Sequence, residues 1–234
     1  MQYRRFGNTG VMISALGFGA MRLPGQDKDG EFFVDEEKSI EMIHRAFDLG
    51  VNYIDTAYGY CGGKSEIVVG KALKGYRDKV YVSTKMPTWK VTRKEDYRKF
   101  LEEQLKKLDV DYIDFYHFHG LNKSRWEDVV LKYDLIDEAQ KAKEEGLIKH
   151  ISFSFHDKPE ILIQLIDTGL FESLLCQYNL LDRANEEAIA HANKKGLGVV
   201  IMGPVGGGRL ASPSEIIKKS LGDKAKSTPE VALR

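Results

Sequence analysis

Short apolar segments and longer amphipathic ones alternate seven times along this chain. Few architectures accept that rhythm: strands separated by helices form a parallel sheet, closed into a barrel or left open. The expected strands span residues 15–20, 51–55, 79–84, 112–119, 148–155, 174–178 and 198–202. Most are apolar nearly throughout, as parallel strands covered on both faces should be. The helices between them carry their own signals. Asp35-Glu36-Glu37 opens one with Ile40, Ile43, Ala46 and Phe47 on a single face, and Gly50 stops it. Ser65 is the expected cap of the next, which holds Ile67, Val68, Ala72 and Leu73. Thr92-Arg93-Lys94-Glu95 reads as a capping box ahead of Tyr97, Leu101, Leu105 and Leu108. A continuous helix is expected over 126–145, and Asp157 is the expected cap of a helix with Pro159 in its first turn. A last helix before the seventh strand runs over 184–195 and ends at Gly196, and Thr228-Pro229-Glu230 looks like another helix start.

Polar groups decide between barrel and open sheet. They stand at the ends of strands two, three, four, five and seven. A barrel draws its site from many strand ends, whereas an open sheet concentrates it at one switch point. The opening turn adds little: Gly17-Phe18-Gly19 is followed by Ala20-Met21-Arg22, so the third glycine of a Rossmann fingerprint is absent. The expected fold is therefore an α/β chain of the (β/α)8 TIM-barrel class, one domain over 1–234. Seven strands would leave two open edges, so the eighth strand and last helices are expected beyond the C-terminus, with the domain incomplete there. A small hairpin is expected over 3–14 around Asn8-Thr9-Gly10, and a loop over 24–32.

The totals narrow the class. Thirty-five Lys plus Arg balance 35 Asp plus Glu, which argues against a nucleic-acid footprint. Cys61 and Cys176 make neither a metal-ligand spacing nor a disulfide framework, so a reducing cytoplasm is expected. No apolar run reaches the length of a membrane helix. With no long exposed apolar stripe, a monomer is the default.

Four ionisable groups fall at strand ends: Asp55, Tyr60, Lys85 and His119. Their chemistry forms a set. A phenol ordinarily ionises near pH 10, and a neighbouring ammonium favours phenolate. Lys85 can supply that charge, and Asp55 can hold Lys85. A phenol tuned downward in this way can protonate an oxygen that becomes alkoxide-like. His119 can donate a hydrogen bond to the same oxygen. The arrangement suits reduction of a C=O bond, with hydride from a cofactor because no side chain can supply one. Tyr58 is a rival donor with the same facing. His117 and His119 share a facing too, but no third ligand stands at useful spacing, so no metal is expected and His117 reads as a second polar lining group. Cys61 reads as a packed thiol.

The chain resembles the aldo-keto reductase family. The residues that carry the resemblance are Gly17-Phe18-Gly19-Ala20-Met21, Asp55-Thr56-Ala57 with Tyr60, Ser65-Glu66, Ser83-Thr84-Lys85, and Asp114-Phe115-Tyr116 leading to His119. The resemblance implies a TIM barrel binding NADPH, or alternatively NADH, extended along its C-terminal face, with a small-molecule carbonyl substrate. It implies Tyr60 as proton donor, Lys85 and Asp55 as its tuning pair, and His119 as the orienting group. It implies cofactor contacts from Gly19, Ala20, Met21, Asp55, Ser154 and, in place of the usual strand-six glutamine, Gln177. The run Gly203-Pro204-Val205-Gly206-Gly207-Gly208 matches the loop that wraps the pyrophosphate, with contacts expected from Gly203, Pro204, Val205 and Gly206. Two departures stand out: Phe155 where an asparagine is usual, and Met202 where an aromatic often stacks on nicotinamide. They favour, as the alternative function, a cofactor-binding regulatory protein with little turnover. Ile151-Ser152-Phe153-Ser154-Phe155-His156 and Tyr116-His117-Phe118-His119-Gly120 are most like a branch whose members often carry a C-terminal iron–sulfur extension, for which these residues offer no ligands.

Overall fold

The computed structural model describes residues 1–221 and 227–233. The chain opens with an antiparallel hairpin, β1 (Tyr3–Arg5) and β2 (Met12–Ser14). The hairpin places Phe6 against Tyr53 and Phe115, with ring centroids 6.1 and 5.1 Å away. These three form a small core of their own, separate from the main one. Phe6 also lies so close to Gly198 that a Cβ there would stand 2.7 Å from its ring, which is why that position is glycine. The hairpin thus plugs one end of the molecule.

After β3 (Phe18–Gly19), a second antiparallel pair follows, β4 (Gly25–Lys28) and β5 (Glu31–Val34). Then come α1 (Glu36–Asp48), β6 (Tyr53–Asp55), α2 (Ser65–Ala72), β7 (Tyr81–Met86), α3 (Asp96–Leu108) and β8 (Ile113–Leu121). A short helical turn, α4 (Lys123–Arg125), runs into a π-helical turn at Trp126–Leu131 and then α5 (Leu135–Glu144). The chain continues through β9 (Ile148–Phe155), α6 (Pro159–Asp167), β10 (Ser173–Gln177), α7 (Glu186–Lys195) and β11 (Gly198–Met202). It closes with α8 (Glu215–Leu221) and α9 (Thr228–Leu233).

Seven strands form one parallel sheet in the order β11-β10-β9-β8-β7-β6-β3. The order never reverses, so the sheet has no switch point of the doubly wound kind. It is the curled wall of a TIM-type β/α barrel. Ile54, Val82, Tyr116, Phe118, Ile151, Phe153 and Leu174 face the helices and build the main core. The alternate positions face inward, and one layer of them is polar. Lys85 pairs with His117, His117 with Ser152, Ser152 with Ser173, and Ser173 with Gly198. A polar layer at this depth is a costly thing to bury.

Several local expectations need correction. The expected loop over 24–32 is the β4–β5 hairpin, turning at Asp29 and Gly30 with φ of 53° and 82°. The expected first strand over 15–20 pairs only at Phe18 and Gly19. Ser65 does not cap α2 with its side chain. Its hydroxyl donates to Ala20 O at 2.8 Å and lies 2.7 Å from Thr56 Oγ1, tying β3 to β6. The acidic partner of Thr92 is Asp96, one residue beyond the expected Glu95; it accepts from Thr92 N, Thr92 Oγ1 and Arg93 N. The single helix over 126–145 is broken at Asp134, whose φ is 51°. Lys94 holds the break through ion pairs to Asp134 (2.6 Å) and Asp137 (2.7 Å). Asp157 does not cap α6; it accepts from Lys123 N and Lys158 N, tying two rim loops together.

Candidate active site

The site lies where β6, β7 and β8 deliver their last residues to one rim. Asp55 ends β6, and Lys85 lies one residue short of the end of β7. The two meet in a salt bridge of 2.7 Å, with the lysine side chain 1% exposed and the carboxylate 16% exposed. Burial at that level demands compensation. Lys85 Nζ has it twice, donating to Asp55 Oδ2 and to Thr56 O at 2.6 Å. Ser83 Oγ donates to the other carboxylate oxygen at 3.0 Å. Behind the lysine, Gln104 Nε2 donates to Lys85 O at 3.1 Å and also to the buried Glu66. The backbone that carries the ammonium is therefore fixed from outside the barrel.

Tyr60 reaches this pair because the loop after β6 folds back. Cys61 and Gly62 adopt consecutive left-handed conformations, φ 52° and 61°. Cys61 carries local strain as a result, and its thiol packs against Met21 O at 3.4 Å. Lys85 Nζ comes to rest 4.9 Å from the Tyr60 ring centre. The phenol is not tuned downward as the sequence suggested. Burial raises its ionisation above the ordinary value, and the opposing pull of Lys85 does not overcome it. Tyr60 is a protonated phenol across the neutral range. Tyr58, the rival, turns away to donate to Glu103 at 3.0 Å.

His119 sits edge-on to Tyr60 with ring centroids 6.0 Å apart, and Trp89 also packs edge-on to it at 4.9 Å. Burial, and next the Lys85 charge, push its ionisation down to about 3. The imidazole is neutral and holds one N–H to donate. His117, one layer deeper, is 0% exposed, and neither ring nitrogen meets a hydrogen-bond partner among the described residues. Burial pushes it down to about 4.

The residues expected to meet a cofactor run across the rim from β9 to β11 and on to β3. Ser154 Oγ accepts from Gly120 N at 2.7 Å, which leaves its own proton to donate. The Gln177 amide presses on Gly203 so closely that a Cβ there would fall 2.8 Å from it. Gly206 is buried and its N–H is bonded to Gly203 O at 2.8 Å, within the turn. Gly207 and Gly208 are the exposed members, with φ of 68° and 101°, and a Cβ at either would meet nothing within 4 Å. They, with Pro204 and Val205, form the open part of the loop. Gly19 pairs with Asp55, and Met21 is 56% exposed at the rim. Ala20 is fully buried, with its carbonyl engaged by Ser65. A hydroxyl donor, an amide and an exposed glycine turn in sequence fit a nicotinamide ring, its carboxamide and a pyrophosphate.

Three rim residues carry no mark as candidates in the sequence: Ser83, Trp89 and Arg125. Arg125, in α4, is half-buried, and its Nη1 donates to Gly120 O at 2.8 Å. The motif Ser83-Thr84-Lys85 contains the first. The other two lie in short helical turns at the rim, too brief for any periodic pattern to mark them.

Comparison with known proteins agrees with this geometry. The family model described as "Aldo/keto reductase family" matches residues 15–229. L-galactose dehydrogenase of Arabidopsis thaliana is 31% identical over 222 residues, covering 90% of this chain and 67% of that protein. A probable aldo-keto reductase of Glycine max is 32% identical, covering 87% of this chain and 59% of its own length. The chain thus spans about three-fifths to two-thirds of these relatives. Among solved structures, an aldo-keto reductase of Bacillus halodurans in its holo form superimposes with a TM-score of 0.82 at 28% identity, over 100% of this chain and 81% of that one. With a rim quartet of carboxylate, phenol, ammonium and imidazole on a parallel β/α wall, and a family match along most of its length, the chain belongs to the aldo/keto reductase family.

Proposed function

We propose that this protein reduces an aldehyde or ketone with hydride from a nicotinamide dinucleotide, and runs the reverse alcohol oxidation with the same groups. The observation that carries the reading is the convergence of Lys85, Asp55, Tyr60 and His119 at one rim. The bound cofactor supplies the hydride; the chain's residues supply the rest. Tyr60 holds the proton that the carbonyl oxygen needs. Burial keeps that proton on the phenol until negative charge develops beside it. Lys85, locked by Asp55 and Thr56 O, places a positive charge next to the phenol and stabilises the phenolate left behind. Neutral His119 donates a hydrogen bond to the carbonyl oxygen and orients it. Trp89 covers the imidazole and excludes water from that side. Ser154, Gln177 and the turn at 203–208 would hold the cofactor. NADPH is the expected form, by resemblance to the family, and a small-molecule carbonyl acted on by a single chain in the cytoplasm is the expected setting. Among the described residues no helix is long and apolar enough to cross a membrane.

The test follows cofactor oxidation at 340 nm with NADPH and NADH against a panel of aldehydes, ketones and quinones, both neutral and carboxylate-bearing. The reading expects carbonyl-dependent oxidation of at least one cofactor. Binding of cofactor without turnover of any panel member would contradict it.

A further inference from the structure

One cation at the rim has no role in the chemistry above. The Arg125 guanidinium makes one hydrogen bond, to Gly120 O at 2.8 Å, and forms no ion pair among the described residues. Its other nitrogens are not buried. Its backbone N–H donates to Asn122 Oδ1 at 2.8 Å, which fixes the turn that carries it. The strand end has been shaped to admit the side chain. Gly120 has φ of 63°, and a Cβ there would fall 2.6 Å from Arg125 Nη1 and 3.8 Å from the His156 ring. Arg125 and His156 therefore both border Gly120, the residue directly after His119. Asp157, the nearest acidic residue in sequence to His156, is engaged by the backbone N–H groups of Lys123 and Lys158. Asp55, the carboxylate of the quartet, is held by Lys85 and Ser83. The mouth thus holds one half-buried positive charge without a counter-ion among the described residues, next to the group that orients the carbonyl. An unpaired guanidinium in such a place is open to an anion from outside the chain.

We propose that Arg125, with His156, forms an anion subsite beside His119, and that the substrate is a carbonyl compound bearing a carboxylate. The proposal rests on the reductase reading and adds its substrate class. With Nη1 held by Gly120 O, the guanidinium keeps a planar edge free, which suits the two oxygens of a carboxylate. The subsite lies at the β8–β9 rim, whereas the exposed glycine turn follows β11, so the two anion-binding regions are separate.

The experiment compares 4-carboxybenzaldehyde with its neutral methyl ester. In the wild type the acid is expected to show kcat/KM at least tenfold above the ester. Arg125→Met is expected to lower the acid-to-ester ratio at least tenfold, mainly through KM for the acid, and Arg125→Lys to restore part of it. A ratio near one in the wild type, or a variant that depresses both substrates alike, overturns the subsite and leaves a structural role for Arg125. A second measurement does not depend on turnover: calorimetric titration with terephthalate. Binding that weakens at least tenfold in Arg125→Met supports the subsite even in a protein that reduces neither aldehyde, and the reductase reading is then decided separately by the carbonyl panel. Absence of terephthalate binding, with the methyl ester turned over, overturns the subsite alone.

Discussion

His117 offers a quantitative test of the polar interior. It is 0% exposed, its ring nitrogens find no partner among the described residues, and burial, followed by Lys85, pushes its ionisation from 6.5 down to about 4. Between those values the unfolded chain binds a proton that the folded chain refuses. Stability from this group is therefore whole above about pH 6.5 and is lost as pH falls toward about 4. In full, the gap corresponds to about 3.4 kcal/mol, and about 2 kcal/mol of it is lost between about pH 7.5 and pH 5. His119, pushed down to about 3, adds a loss of similar size over the same interval. His117→Leu fills the position without a titrating group. Urea unfolding followed by far-UV circular dichroism gives the stability of each protein at the two pH values. The variant should lose about 2 kcal/mol less than the wild type on acidification, with an unchanged m-value. If both lose the same amount, His117 is not a buried neutral imidazole, and the account of the inner layer is wrong.

Two further outcomes follow from the site and the plug. Because burial raises Tyr60 above its ordinary ionisation and His119 is pushed down to about 3, neither group changes charge between about pH 5 and pH 9. The rate of carbonyl reduction at saturating cofactor should be flat over that span, and a limb near pH 6.5 would contradict a neutral His119. Gly198→Val would drive a side chain into Phe6, already 2.7 Å from a Cβ at that position. The overpacking should cost about 1–3 kcal/mol in urea unfolding, and a variant as stable as the wild type would show that Phe6 does not plug the barrel.

Much of the barrel can be read from residues alone because each strand carries its apolar run between polar or glycine-rich ends. Strands β9 and β11 match their expected ranges for that reason. The β4–β5 hairpin is harder. All four residues of β4 are exposed, so no alternation marks the strand, and only Asp29-Gly30 hints at the turn. The break at Asp134 is invisible locally, since the amphipathic pattern runs through it and the residue that holds it, Lys94, is forty positions upstream. The quartet is legible because each member stands near the C-terminal end of a strand, where a barrel places its chemistry. The direction of the Tyr60 ionisation is not. A sequence pairs a phenol with an ammonium but does not show how deeply the loop buries them. Arg125 is unmarked in the sequence because its setting depends on the left-handed backbone of Gly120.

The central claim is that Tyr60 delivers the proton while Lys85 and His119 organise the transfer. Single-turnover stopped-flow of the wild type and Tyr60→Phe, each preloaded with NADPH and mixed with a carbonyl the wild type reduces, tests it most directly. The account predicts that the substitution slows the hydride step by about 10²-fold or more while cofactor affinity stays within a few-fold. A hydride step in Tyr60→Phe as fast as in the wild type would contradict it.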